Sequence, residues 1–304
     1  MLVKGPRQPA SAGVRSPRNR RPSAWLLVSV LAVLVIGSAA VLAVRHMTGA
    51  SGGNTSAAWL QQEPALRDEA AAWVSQQLSP SARVACDRVM CTSLSRAGFP
   101  AGQLVTIGLT SSDLTSSDVV VSTPLIRAMF GSSISTAYAP AVLASFGTGT
   151  AEIDVRVMAP NGMGTYQSKL KQDLNQRKEA EPPLLVGVNG IRLSSTAQEQ
   201  LNAGQVDSRL VLAIAQVAST YSVYVVDFGN VGTGESPGVP QRYADISENL
   251  PAGQLSGMRA TLAGLKSDIR PARTQDVAVA NNQTVLRIEF TAPSPLGVFS
   301  QESS

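Results

Sequence analysis

Histidine is almost absent from this chain of 304 residues. The single one is His46, and nothing beyond it carries an imidazole. That excludes the histidine-dependent catalytic sites, in which imidazole serves as a zinc ligand or as the base for a serine nucleophile. Cysteine is nearly as scarce, with only Cys86 and Cys91, so no cysteine-rich metal site can be assembled. Acidic residues are missing from the first 46 positions, where Lys4, Arg7, Arg15, Arg18, Arg20, Arg21 and Arg45 lie. The rest therefore has eighteen cations against all twenty-one acids, a balance near −3. The overall pI near 9.3 reports the N-terminal tail. A basic footprint for nucleic acid is lacking in the rest.

What is present at the start is one long apolar run. Trp25–Val44, WLLVSVLAVLVIGSAAVLAV, has no charge, Asn or Gln. Twenty helical residues at 1.5 Å each span the bilayer core. A transmembrane helix over 23–45 follows, and the cations before it place the N-terminus in the cytoplasm. Ser38-Ala39-Ala40 and Val41-Leu42-Ala43 resemble signal-peptide cleavage sites. The apolar core exceeds an ordinary h-region, which favours a retained signal anchor. Residues 1–22 are rich in Pro, Arg and Ser and are expected to be disordered. Residues 46–57 read as a flexible linker.

The first expected ectodomain covers 58–158. Residues 65–78 place Leu66, Ala70, Trp73, Val74 and Gln77 or Leu78 on one helix face. Strands are expected at Arg83–Cys86, Leu104–Ile107, Asp118–Ser122, Val142–Phe146 and Glu152–Val157, with helices at Cys91–Ala97 and after Thr123-Pro124. DVVVS is continuously apolar, as in a strand covered on both faces. Residues 159–183 read as a charged connecting helix ended by Pro182-Pro183. The second ectodomain, 184–299, is expected to open with a strand at Leu184–Val188. Asp207 then N-caps a helix over 208–219. A strand at Val223–Phe228, a Gly/Pro loop over 229–253, a weaker helix at Gln254–Asp268 and a strand at Val285–Phe290 complete it. Residues 300–304 read as a disordered tail. The fold class is α/β: one transmembrane helix followed by two small three-layer extracytoplasmic domains.

Across residues 69–158, AAAWVSQQLSPSARVACD, AGFP, DVVVSTPLIR and ASFGTGTAEIDVRVM resemble the soluble C-terminal domain of actinobacterial mannosyltransferase-type membrane glycosyltransferases. The resemblance implies a fold and a setting, not catalysis. Those enzymes act through acidic residues on loops between many membrane helices, and this chain has one such segment. The whole chain also resembles actinobacterial single-pass membrane proteins without assigned activity. GQVDSRLVLAIAQVASTYSVYVVDFG and GVPQRYADI resemble the core of D,D-carboxypeptidase-like zinc peptidases, at Asp207, Arg209 and Asp245. Without histidine, such an ancestry would imply an inactive relative.

Other motifs fail on physical grounds. Gly234-Glu235-Ser236-Pro237-Gly238 matches G-x-S-x-G, but Pro237 has no N–H for an oxyanion hole. Ser168-Lys169-Leu170-Lys171 matches S-x-x-K without its partner motifs. The glycines from Gly229 to Gly238 precede prolines rather than a helix N-terminus, so a phosphate cradle is disfavoured. That loop reads instead as a mobile surface loop or ligand lid.

Cys86 and Cys91 fit a disulfide in an oxidising compartment, with two buried thiols or a redox pair as alternatives. The ligand-binding candidates are Asp207, Asp227, Glu235, Arg242 and Asp245. No catalytic residue, metal or cofactor is assigned. The functional expectation is a non-catalytic accessory or binding protein of the cell envelope. Its expected partners are the bilayer and an envelope glycan or polytopic membrane glycosyltransferase. The alternative is a carboxylate-dependent hydrolase or transferase using Asp207, Asp227 and Asp245, which would need carboxylates at a defined separation.

Overall fold

A computed structural model describes residues 55–108, 112–248, 254–279 and 283–299. The expected membrane segment, the N-terminal tail and residues 300–304 lie outside them. Among the described residues no helix is long and apolar enough to cross a membrane. Residues 56–304 form one compact unit with mixed α/β content and two five-stranded sheets.

The first part runs α1 (Thr55–Gln77), β1 (Val84–Cys86), α2 (Arg88–Arg96), β2 (Leu104–Thr106), α3 (Ser112–Thr115), β3 (Val119–Ser122), α4 (Pro124–Phe130), β4 (Ala141–Phe146) and β5 (Ile153–Val157). Helix α1 begins ten residues ahead of the amphipathic stretch, and Leu66, Ala70, Trp73, Val74, Gln77 and Leu78 are all buried as their spacing predicts. The strand order is β2-β1-β3-β5-β4. β1 lies parallel to β2 and β3, while β5 and β4 add an antiparallel edge. Period-two alternation sends Val119 and Val121 into a cluster with α1 and α2. Val120 points the other way, to Leu114, Ile126 and Ile134. Both faces are thus covered, which explains the unbroken apolar run in β3.

Local caps fix the helix starts. Asp87 accepts the N–H groups of Val89 and Met90 and the Thr123 hydroxyl, while Thr123 caps α4. One carboxylate therefore ties two helix N-termini together. Cys86 and Cys91 form a disulfide with Cα atoms 5.4 Å apart, across the step from β1 into α2.

The second part runs α5 (Met163–Leu185), β6 (Ile191–Leu193), α6 (Ser195–Asn202), α7 (Ser208–Ala218), β7 (Val223–Gly229), β8 (Tyr243–Glu248), α8 (Leu255–Ala263), β9 (Arg273–Val279) and β10 (Gln283–Glu289). Its order is β6-β7-β8-β10-β9, with only β6 and β7 parallel. Inward residues Val223, Val225, Phe228, Ala244, Ile246, Leu286 and Ile288 share one apolar cluster with α6, α7 and α8. Helices α5, α6, α7 and α8 all contribute buried side chains to that cluster.

Two expected boundaries are corrected. Leu184–Val188 is not a strand: α5 continues through Pro182 and Pro183 to Leu185. Glu181 and Leu185, one turn apart, are both fully buried, so packing holds the last turn despite the prolines. Of the expected Gly/Pro loop over 229–253, the described residues 229–248 are tied to the rest of the chain rather than free to close as a lid. Ser145 N donates to Gly234 O and Ser236 N to Leu143 O, so the segment docks on the free edge of β4. From Tyr243 it becomes strand β8. Trp73 stands over Gly232 where a Cβ would lie 2.1 Å from its indole nitrogen, so only glycine fits.

Candidate functional site

The five candidate side chains separate into three places. Asp207 caps α7 through the Arg209 N–H. Its carboxylate also takes two bonds from the Arg209 guanidinium, at 2.7 and 3.0 Å. Arg209 in turn donates to Thr291 O and lies over the Phe290 ring. Asp207 is therefore spent on fixing a helix start and the chain after β10.

Glu235 and Arg242 meet at the seam between the two sheets. Their ion pair is 2.6 Å long and both side chains are buried. The Gly232 N–H also donates to Glu235, and Arg242 reaches Gln77 Oε1 of α1. Burial pushes the Glu235 carboxyl above its ordinary value, and Arg242 opposes that shift. This pair is a clamp between halves of the molecule.

Asp227 and Asp245 do come together. They are opposite each other in the β7–β8 register, after a bulge at Val226. Arg287 takes both oxygens of Asp245, at 2.7 and 2.8 Å, and stacks on the Tyr243 ring. Asp227 keeps one buried oxygen without a partner. The row continues through Arg287 to Gln275 across β10 and β9. Burial, first, raises the Tyr243 hydroxyl, and Arg287 opposes it. Asp245 pairs with Arg287 rather than with Asp207 or Arg209.

None of the five lines the cavity at the N-terminal end of α5. That cavity measures about 350 Å3, within the range of small-ligand sites. Its wall comes from the β5–α5 turn (Asn161, Gly162), from α5 (Thr165, Tyr166, Lys169, Gln172, Asp173, Gln176) and from Leu296 and Gly297. Asp173 forms the fixed floor: it is buried, pairs with Arg177 at 2.9 Å and accepts the Gly297 N–H at 2.8 Å. Burial, with Asp173 beside it, pushes the Tyr166 hydroxyl up to about 12, so it remains a neutral donor.

The sequence reading missed a second feature of α5. Asp173, Arg177 and Glu181, spaced by four, form a buried polar stripe. Arg177 reaches the carbonyls of Gly204 and Val206, and the Ser208 hydroxyl donates to Glu181. The i, i+4, i+8 spacing was visible, but charge alone suggested a solvated face. Among the described residues no three His, Cys, Asp or Glu side chains form a metal-binding group.

Compared with known proteins, the chain matches no family model, no curated protein and no solved structure.

Proposed function

We propose that this chain is a membrane-anchored, non-catalytic accessory or binding component of the cell envelope. Residues 25–44 hold it in the bilayer as a single-pass signal anchor, and the two α/β sheets stand outside. Its partner is an envelope glycan or a polytopic membrane glycosyltransferase. The observation carrying this reading is the commitment of the acidic candidates. Asp207 is a cap paired to Arg209, Glu235 is buried on Arg242, and Asp245 is held by Arg287 at both oxygens. A carboxylate so engaged is a poor base or nucleophile, because its oxygens are already held by the guanidinium and are not open to a substrate. The Cys86–Cys91 disulfide supports an extracytoplasmic setting. The glycosyltransferase setting rests on the resemblance of residues 69–158, which is analogy.

One observation favours the carboxylate-enzyme alternative, namely the cross-strand Asp227–Asp245 pair with its unpartnered Asp227 oxygen. Affinity capture of the full chain from solubilised native membranes tests both readings. Recovery of a polytopic glycosyltransferase or of envelope glycan supports the accessory role. Recovery of neither, with turnover of envelope glycan lost in Asp227→Asn, overturns it.

A further inference from the structure

We infer that the cavity at the N-terminal end of α5 binds a neutral, polyhydroxylated ligand of mono- or disaccharide size. This deepens the accessory reading and rests on it for the envelope setting.

The argument starts from what the wall side chains are not doing. Among the described residues, Asn161, Thr165, Tyr166, Lys169, Gln172 and Gln176 make no side-chain hydrogen bond or ion pair, although all face one cavity. Thr165, Lys169, Gln172 and Gln176 follow at i, i+4, i+7 and i+11, one stripe of the helix. The neighbouring stripe, Asp173, Arg177 and Glu181, is buried and bonded to other parts of the protein, with one Glu181 oxygen left over. Two adjacent stripes of one helix thus have opposite fates: one is consumed by packing and one is left uncommitted around a hollow.

The chemistry of the uncommitted groups narrows the ligand. Three are amides, each both donor and acceptor, and two are hydroxyls. Gln176 Oε1 is buried without a partner and calls for a donor from the ligand. Tyr166, kept protonated to about pH 12, supplies a donor in return. An apolar ligand would strip water from the exposed Asn161, Thr165 and Gln172 side chains with nothing to replace it. For an anion the wall offers a single free cation, Lys169, beside a carboxylate already neutralised by Arg177. Alternating O–H donors and acceptors on a compact ring meet these groups best. The floor is preorganised, because the Gly297 N–H and Arg177 both hold Asp173. A site built to hydrogen-bond hydroxyls discriminates strongly against analogues lacking them.

The test uses the full chain in nanodiscs free of sugar detergent. Saturation-transfer NMR is recorded with trehalose, maltose and cellobiose, and with inorganic phosphate as competitor. Transfer to at least one disaccharide is expected, with a dissociation constant on the order of millimolar. It should fall at least tenfold in Thr165→Trp, which fills the mouth, and in Gln176→Leu, which removes the buried acceptor. If either variant fails to fold, Gln172→Ala at an exposed position takes its place. No transfer to any of the three sugars, transfer indifferent to the variants, or displacement by phosphate overturns the inference. Lost sugar binding with intact partner capture sinks this inference alone. Sugar binding without capture of any glycan or glycosyltransferase sinks the accessory reading alone.

Discussion

The Glu181 carboxyl group is fully buried, accepts one hydroxyl from Ser208 and has a second oxygen without a partner. Burial pushes it up to about 8, while Ser208 and Arg177 pull it down and Asp207 and Asp173 push it further. The folded protein therefore keeps this proton where the unfolded chain, near 4.5, has released it. Below about pH 4.5 both states hold the proton and Glu181 costs nothing. Between about 4.5 and 8 the unfolded state binds fewer protons, so stability falls as pH rises. Above about 8 the folded state ionises too and the slope ends. Glu181→Gln keeps an acceptor for Ser208 and removes the titration. The variant should gain about 1–3 kcal/mol on the wild type between pH 5 and pH 8. Urea unfolding at the two pH values measures this, and an offset identical at both would contradict it.

At the scale of elements, the segment between β7 and β8 behaves as a docked edge strand because of Gly234. Its φ is +76°, and a Cβ there would lie 2.4 Å from the Ser145 carbonyl oxygen, a backbone atom that cannot swing away. Gly234→Ala should cost about 1–3 kcal/mol, from the strained φ and the forced retreat from β4. Protease nicking between β7 and β8 should rise with it, whereas unchanged stability and protection would mean the segment docks without this contact. The same segment shows where sequence reading stopped. The first sheet was legible because α1 carries a helical period, β3 is an unbroken apolar run, and Thr123-Pro124 marks the start of α4. The second was less so. β8 alternates properly, Tyr243 and Asp245 out with Ala244 and Ile246 in, but glycines and prolines around it hid the pattern. β9 is an edge strand with mostly exposed residues, so it has little apolar signal to read. The candidate residues suffered likewise. Spacing identified Asp207 as a cap, but no local pattern shows that Glu235 faces Arg242, or that α5 divides its polar residues between a packed stripe and a cavity.

At the scale of the whole molecule, the described residues of the two sheets are tied together at the seam where they meet. Leu78 bridges to Ala292, and Ser79 N and Ala292 N exchange bonds with Ala292 O and Gln77 O. Arg273 donates to Gln76 O. At the centre sits Arg242, 2% exposed, bonded to Glu235 and reaching Gln77. Two charges taken out of water are tolerable together and costly apart. Glu235→Ala leaves Arg242 buried beside α1 without its counter-ion, and should destabilise by about 3–5 kcal/mol. The seam makes a further demand on the form of unfolding. Since it joins strands, a docked segment and α1 of both halves, the wild type should unfold in one cooperative transition by Trp fluorescence and far-UV circular dichroism. Glu235→Ala should separate the probes into two transitions, because Trp73 packs against Gly232 beside the broken pair. Pairing it with Arg242→Met, which removes the stranded cation, should restore part of the stability and bring the transitions back together. A double variant as unstable as the sum of the single ones would mean that the ion pair is not what couples the two sheets.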